Sequence, residues 1–371
     1  MSARLTKMTL AGFKSIKRLD GFQPGNLTVL IGANGAGKSN LISFFRVLSH
    51  MMSSPTGLQA HLMQTGRAHS WLHDGPGTTS AIDAALEIET NQGRNDYEFC
   101  LEFAAGDTLF FNQERFRFLP HGTRPDAKTS LGAGHEESKM FERAERGEPT
   151  PLAIRDMLRK FINHQFHNTS FTSRMRQAWD ISDGRWLKED GANLGAFLYR
   201  LKNEQSLAPY YARIVQTIRQ SLPFFTDFEL EPAAGQIILA WREVGTDQHF
   251  AAHQASDGML RFMALVALLL QPSENLPELL ILDEPELGLH PHAITTVAGL
   301  IQSVSLEKQV ILATQSVTLL NEFAPEDVVV VERQGRESKF RRLDAKQLAA
   351  WLEQYSIGEL WEKNVLGGRP V

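Results

Sequence analysis

Two groups of residues in this chain have the types and spacing to handle a polyphosphate. The first runs from Val29 to Asn40, V-L-I-G-A-N-G-A-G-K-S-N. It fits the pattern G-x-x-x-x-G-K-[ST], with Gly32, Gly37, Lys38 and Ser39 in the fixed positions. Gly32, Gly35 and Gly37 let the backbone wrap an anion, so successive N–H groups, through Asn34 and Ala36 to Lys38, Ser39 and Asn40, can face phosphate oxygens. Lys38 would neutralise the β and γ phosphates, and the Ser39 hydroxyl would ligate Mg²⁺. The second group is Asp283-Glu284, directly after the apolar run Leu279-Leu280-Ile281-Leu282. Asp283 suits Mg²⁺, directly or through water, and Glu284 suits accepting a proton from an attacking water. Two acids after an apolar strand are also a plain strand cap; a phosphate loop in the same chain favours the chemical alternative.

Both groups need a strand behind them. Residues 27–31 read as a buried strand, and 40–48 as a helix with Leu41, Phe44, Phe45 and Leu48 on one face. Residues 279–282 read as a central parallel strand with a site at its C-terminal end. Helices are expected over 257–270 and 293–303, and further strands over 309–313 and 327–332, which together argue an α/β core. Ahead of the phosphate loop, alternation predicts two or three strands within 1–31. Residues 53–77 look irregular and mobile, and 81–90, 97–104, 108–112 and 115–119 form an antiparallel meander. The stretch 121–150 is charged and Gly-rich, suggesting a flexible connection. Helical patterns then start at Pro151 and recur over 195–202 and 210–222.

The chain has 371 residues, 42% hydrophobic content and a formal net charge of −5, so its overall balance announces no nucleic-acid partner. Residues 151–222 carry eleven Lys and Arg against six acids. That lobe is the best candidate for contact with DNA, although a solvated helix face explains it equally well. Cys100 is the only cysteine, which excludes an intrachain disulfide and fits a reducing cytoplasm. The longest apolar run, 262–270, is too short to cross a bilayer, so no membrane role is expected. His164 and His167, among Phe161, Phe166 and Phe171, read as packed histidines, and a zinc site has little support.

The motifs together resemble a known group. Leu282-Asp283-Glu284-Pro285-Glu286-Leu287-Gly288-Leu289-His290-Pro291 resembles the Walker B and D-loop segment of ABC-type ATPases of the SMC, RecF and OLD kind. Ala255-Ser256-Asp257-Gly258-Met259-Leu260-Arg261 is similar to their signature motif, in the short S-D-G form of stand-alone AAA-type ATPases. The opening Gly12-Phe13-Lys14-Ser15-Ile16 and the loop 32–40 match the same group, in its order. The resemblance implies a P-loop NTPase of ABC-ATPase head type, with an antiparallel β-meander and an inserted helical lobe. Its divisions would be an N-terminal ATPase lobe (1–120), a flexible connection (121–150), a helical lobe (151–225), a C-terminal ATPase lobe (226–345) and a helical tail (346–371).

The resemblance also implies a mechanism. ATP is sandwiched between two heads, with Ser256 and Gly258 of one chain reaching the γ-phosphate held by the other, so a homodimer or higher oligomer follows. The family's switch position is often histidine, but here it is Gln315. Glutamine can hydrogen-bond the γ-phosphate or the water without carrying a proton charge, which implies sensing or positioning and slow hydrolysis. Gln113 is the best available guess for the family's Q-loop glutamine. The switch is expected to act in DNA maintenance or anti-phage defence through a separately encoded effector or nuclease, because no D-x-D pattern follows Val331. The alternatives are a non-hydrolytic scaffold that holds an effector inactive and, less favoured, a transporter's nucleotide-binding subunit.

Overall fold

Alternating apolar and polar residues at the start of the chain build the first sheet of the computed structural model, which describes residues 3–368. β1 (Ala3–Phe13) and β2 (Ile16–Phe22) pair as a hairpin, turning at Lys14 with φ 50°. β3 (Leu27–Ile31), buried at every residue, enters a second sheet and leads through the glycine loop into α1 (Lys38–Ser53). The short helices α2 (Gly57–Gln64) and α3 (Arg67–Trp71) come next. β4 (Ala81–Thr90), β5 (Gly93–Ala104), β6 (Thr108–Pro120) and β7 (Thr129–Gly132) then form the meander, in the sheet order β2-β1-β4-β5-β6-β7. The two segments expected at 108–112 and 115–119 are one strand. Cys100 faces Gln113 while Leu101 faces Phe111, so Asn112 is an extra residue in a bulge.

α4 (Lys139–Glu145) and α5 (Pro149–Leu158) pack beside α1, and β8 (Asn163–His164) joins the second sheet. A two-stranded ribbon pairs β9 (Trp179–Asp180) with a later strand; α6 (Leu194–Asn203) and α7 (Ala208–Ser221) follow. After β10 (Phe225–Phe228), β11 (Gln236–Ile237) closes that ribbon, and β12 (Ala240–Glu243) with β13 (His249–Ala251) completes a small sheet on β10. Then come α8 (Asp257–Leu269), β14 (Leu279–Asp283), α9 (Pro291–Ser305), β15 (Gln309–Thr314), α10 (Val317–Leu320), β16 (Val328–Gln334), β17 (Glu337–Arg342), α11 (Ala345–Leu352) and α12 (Ile357–Glu362).

The second sheet runs β17-β16-β3-β15-β14-β8, parallel except for the β16–β17 pair. Its central strands are apolar throughout because both faces are covered. Leu30, Ile281, Ile311 and Ala313 pack with Phe44 and Phe45 of α1 and the meander, whereas Val29, Leu280, Leu282 and Leu312 pack with Phe262 and Val266 of α8. This two-residue alternation sandwiches the sheet between two cores and aligns the C-terminal ends of β3, β15 and β14.

Three expectations are corrected. Residues 53–77 are largely helical, with Leu58, Leu62 and Trp71 buried. Within 121–150, β7 and α4 bury Leu131, Met140 and Ala144. Polar contacts, invisible to periodicity, tie both stretches down: the Glu137 carboxylate accepts the N–H groups of Leu58 and Gln59 at 3.0 and 2.9 Å, at the start of α2. Fully buried Glu114 accepts from Tyr97 at 2.7 Å, His135 at 2.9 Å and the Lys139 N–H at 3.0 Å. The helical lobe is also not one unit, because α5 sits against α1 and β8 lies in the central sheet. Of the predicted tail, residues 369–371 lie outside the described residues.

The His50 and His61 rings stack with centroids 4.1 Å apart. Burial lowers the pKa of both, that of His61 to about 4, and buried His164 is likewise lowered to about 4. An unfolded histidine takes up its proton near pH 6.5, before these folded ones do, so acid favours the unfolded chain. Stability should therefore fall as pH drops from about 6.5 to about 4. In urea-unfolding midpoints measured across that window, His61→Phe should show a shallower fall; an unchanged slope would remove His61 from the account.

Candidate functional site

The glycine loop leaves β3 where only glycine fits. A Cβ at Gly32 would lie 2.2 Å from the Val331 carbonyl oxygen, and one at Gly37 would lie 2.0 Å from Ser338 Oγ, with φ at +112°. Behind the loop, Ser338 Oγ donates to the Ala36 carbonyl at 2.6 Å and shares a 2.6 Å hydrogen bond with Ser15 Oγ, which also accepts from Asn40 Nδ2 at 2.6 Å. Ser15 of the G-F-K-S segment thus braces the loop, while Lys14 Nζ donates to Ser43 Oγ of α1 at 2.6 Å. Asn34, Gly35 and Ser39 are exposed on the open side.

Lys38 is only 5% exposed, and Nζ donates to the carbonyls of Gly32 at 2.6 Å and Ala33 at 3.2 Å. Burial lowers its ammonium pKa, and the charges of Glu284, Asp283 and Glu286 oppose that shift. These acids are near because β15 alone separates β3 from β14, and Asp283 sits in register with Ala313.

Asp283 is buried, and its two oxygens differ. Oδ2 accepts from Gln165 Nε2 at 2.6 Å, whereas Oδ1 is buried without a hydrogen-bond partner. A buried carboxylate oxygen left unpaired is costly unless a cation completes it. With the Ser39 hydroxyl, it offers the hard oxygen donors that suit Mg²⁺, which keeps several waters and phosphate oxygens. Among the described residues no group of three or more His, Cys, Asp or Glu is arranged for a metal. Glu284, half-buried, has φ at +44°, a conformation that L side chains rarely adopt and that gathers at functional sites. Its N–H donates to the Ala313 carbonyl at 2.8 Å. Glu286 accepts from the Thr314 hydroxyl, and burial raises its pKa. Gln315 follows directly, half-buried at the end of β15.

Gln165 escaped the sequence reading. It follows the two-residue strand β8, which pairs beside β14, and its Oε1 accepts from Arg46 of α1 at 2.5 Å. No local periodicity marks it; only the topology brings it to Asp283. Gln113, the earlier guess, lies in the meander opposite Cys100. His167 Nε2 donates to the Asp283 carbonyl at 2.8 Å, so this histidine braces the site, and Phe171 is 81% exposed rather than packed.

Ser256 and Gly258 stand at the start of α8, which packs on the face of the central sheet opposite α1. Exposed Ser256 caps α8, its Oγ accepting the Met259 N–H at 3.3 Å. Gly258 permits close approach to the D-loop, since a Cβ there would lie 2.2 Å from the Gly288 carbonyl oxygen. Leu287, Gly288 and His290 are exposed. The basic excess of 151–222 is largely neutralised: Arg155, Arg159, Arg174, Arg176, Lys188, Arg200 and Lys202 all have acidic partners within 4 Å.

Comparison with known proteins bears on the fold. The chain is similar in structure to an SMC head bound to the C-winged helix domain of ScpA, with TM-score 0.61, 16% identity and coverage of 93% of this chain and 99% of that one. It is also similar to the Smc head domain from Pyrococcus furiosus, with an extended coiled coil and bound to the C-terminal domain of ScpA, at TM-score 0.59, 14% identity and coverage of 95% and 99%. A head domain from Pyrococcus yayanosii aligns at TM-score 0.54, 12% identity and coverage of 95% and 99%. No curated protein matches the chain in sequence. No helix among the described residues is long and apolar enough to cross a membrane. The profile of the family described as "AAA domain, putative AbiEii toxin, Type IV TA system" matches residues 27–321. The chain therefore belongs to that family, and it has the fold of an SMC-like ABC-type ATPase head.

Proposed function

We propose that the chain binds ATP and hydrolyses it slowly, and that ATP joins two copies face to face in a dimer that switches a separately encoded effector or nuclease. The pathway we assign is DNA maintenance or anti-phage defence in the cytoplasm. The observation that carries the reading is the pair of strand ends where buried Lys38, after β3, stands across β15 from Asp283, whose Oδ1 is buried and unpaired.

Lys38 would exchange its bonds to Gly32 and Ala33 for phosphate oxygens, while the N–H groups of the loop wrap the β-phosphate. Ser39, Asp283 and Gln165 would hold Mg²⁺, which when bound supplies charge neutralisation across the phosphates. Glu284 accepts a proton from water as its oxygen bonds to the γ-phosphorus and the bond to the β–γ bridging oxygen breaks, giving ADP and phosphate. Gln315 orients that water. The partner copy's signature serine and glycine complete the site. Heads of this shape have been solved with domains of ScpA bound, which supports a partner-binding role for the fold. The paired basic side chains of 151–222 give DNA contact less support than the sequence alone did.

Two outcomes test this. Lys38→Ala should abolish ATP binding in isothermal titration while leaving the thermal midpoint within a few degrees. Glu284→Gln should bind ATP normally, lose about 10²- to 10⁴-fold in phosphate release, and sediment as a dimer when ATP is present. Equal turnover in wild type and Glu284→Gln would remove the base, and negligible turnover in both would favour the non-hydrolytic scaffold.

A further inference from the structure

The segment 356–368 crosses from the helix after β15 to the phosphate loop, and it lies beyond residues 27–321, which the family profile matches. α12 starts on a capping box: Ser356 Oγ accepts the Glu359 N–H at 3.3 Å, and the Glu359 carboxylate accepts the Ser356 N–H at 2.8 Å. It packs on α10, the helix that begins two residues after Gln315. There the Gly358 N–H donates to Asn321 Oδ1 at 2.7 Å. Asn364, at φ 57°, ends α12; its N–H donates to the Trp361 carbonyl and the Val365 N–H to the Leu360 carbonyl, both at 2.9 Å, which turns the chain back. Leu366, 1% exposed, anchors the returning segment in the core that holds Leu320 and Val330, and its carbonyl accepts from Arg341 Nη2 at 2.5 Å. Gly368 follows, and its carbonyl accepts the Ala33 N–H at 2.8 Å.

Ala33 is one of the two residues on which Lys38 rests. Its carbonyl accepts from Lys38 Nζ at 3.2 Å and from the Ala36 N–H at 3.1 Å, while its N–H is held by Gly368. We infer that Gly368 is a positioning residue for the phosphate loop, and that 356–368 is a strap that keeps the loop shaped for a polyphosphate. This rests on the ATP reading above. When Lys38 turns to phosphate oxygens, Ala33 loses one of its bonds, and the Gly368 carbonyl is the contact that keeps the first turn of the loop in place. A loop ordered before its ligand arrives loses less conformational freedom on binding, and so binds more tightly. The end of the strap suits this close approach: Gly368 has φ +82°, and a Cβ there would lie 2.8 Å from Val330 Cγ1. Because α12 is bonded to α10, the strap also ties the loop to the helix behind Gln315.

The test uses the full chain, with ATP affinity read by isothermal titration, amide hydrogen exchange read in peptides covering 32–40, and the thermal midpoint read without nucleotide. Gly368→Ala should weaken ATP binding about three- to tenfold, the scale of one lost hydrogen bond, and should speed exchange across 32–40 while the midpoint stays within a few degrees. Arg341→Gln removes the donor to the Leu366 carbonyl without opening the core, and should move both readouts the same way by a smaller factor. Gly245→Ala, at another left-handed glycine (φ +79°) with open space around it, controls for backbone strain and should leave affinity and exchange as in wild type. If the wild-type chain binds no ATP, the ATP reading itself fails, and exchange across 32–40 still decides whether the strap orders the loop. If wild type binds and Gly368→Ala and Arg341→Gln match it in affinity and exchange, the inference alone is overturned. A weakening shared by Gly245→Ala, or one that tracks a fall in the midpoint, would also overturn it, by showing a merely structural role.

Discussion

A lysine withdrawn from water near three carboxylates is the constraint around which the candidate site is arranged. Lys38 is buried, and its ammonium is stabilised by the Gly32 and Ala33 carbonyls and by the charges of Asp283, Glu284 and Glu286. Such an arrangement requires strong positional control, because a buried charge displaced from its partners costs several kcal/mol. The parallel sheet provides that control. β3 ends at the loop, β14 ends at Asp283, and β15 between them holds both strands in register. The two cores on either side of the sheet keep these strand ends level, so the chemistry is a consequence of burying Leu, Ile and Val on both faces.

The same corner explains why the side chains packed behind it are polar. Ser15, Ser338 and Asn40 brace the loop from behind, and Arg46, Gln165 and His167 brace Asp283. These contacts come from sequence positions more than 300 residues apart in the case of Ser15 and Ser338. They join the N-terminal hairpin, the β16–β17 hairpin and the central sheet into one support. Arg261 and Arg176 extend that support to the signature helix.

The parts legible in the sequence were those whose chemistry depends on short spacing. The phosphate loop, Asp283-Glu284 and the helix beginning at Asp257 could be read because glycine, lysine and acid positions are fixed within a few residues, and the flanking strands are apolar throughout. The bulge at Asn112 was visible only as a break between two apparent segments. Residues 53–77 and 121–150 were misread because single buried side chains and long-range acceptors, Glu137 and Glu114, order them without any repeating pattern. Gln165 was missed for a related reason: a two-residue strand carries no periodicity, and its pairing with β14 is a property of the sheet. The basic excess of 151–222 was countable in sequence, but the partners that neutralise most of it were not, since Glu145, Asp227 and Asp257 lie outside that range.

The central claim is that Ser256 of one copy meets the phosphate loop of another when ATP is bound. It is tested most directly by cross-linking in a Cys100→Ser background, with His253→Cys, three residues before Ser256, and Arg333→Cys, at an exposed side chain that donates to the Gly35 carbonyl at 3.3 Å, joined by a short thiol-reactive linker. The account predicts a covalently linked dimer that forms with ATP and is absent without nucleotide or when Lys38→Ala is added. No linked dimer with ATP, or the same yield with and without it, would contradict the composite site.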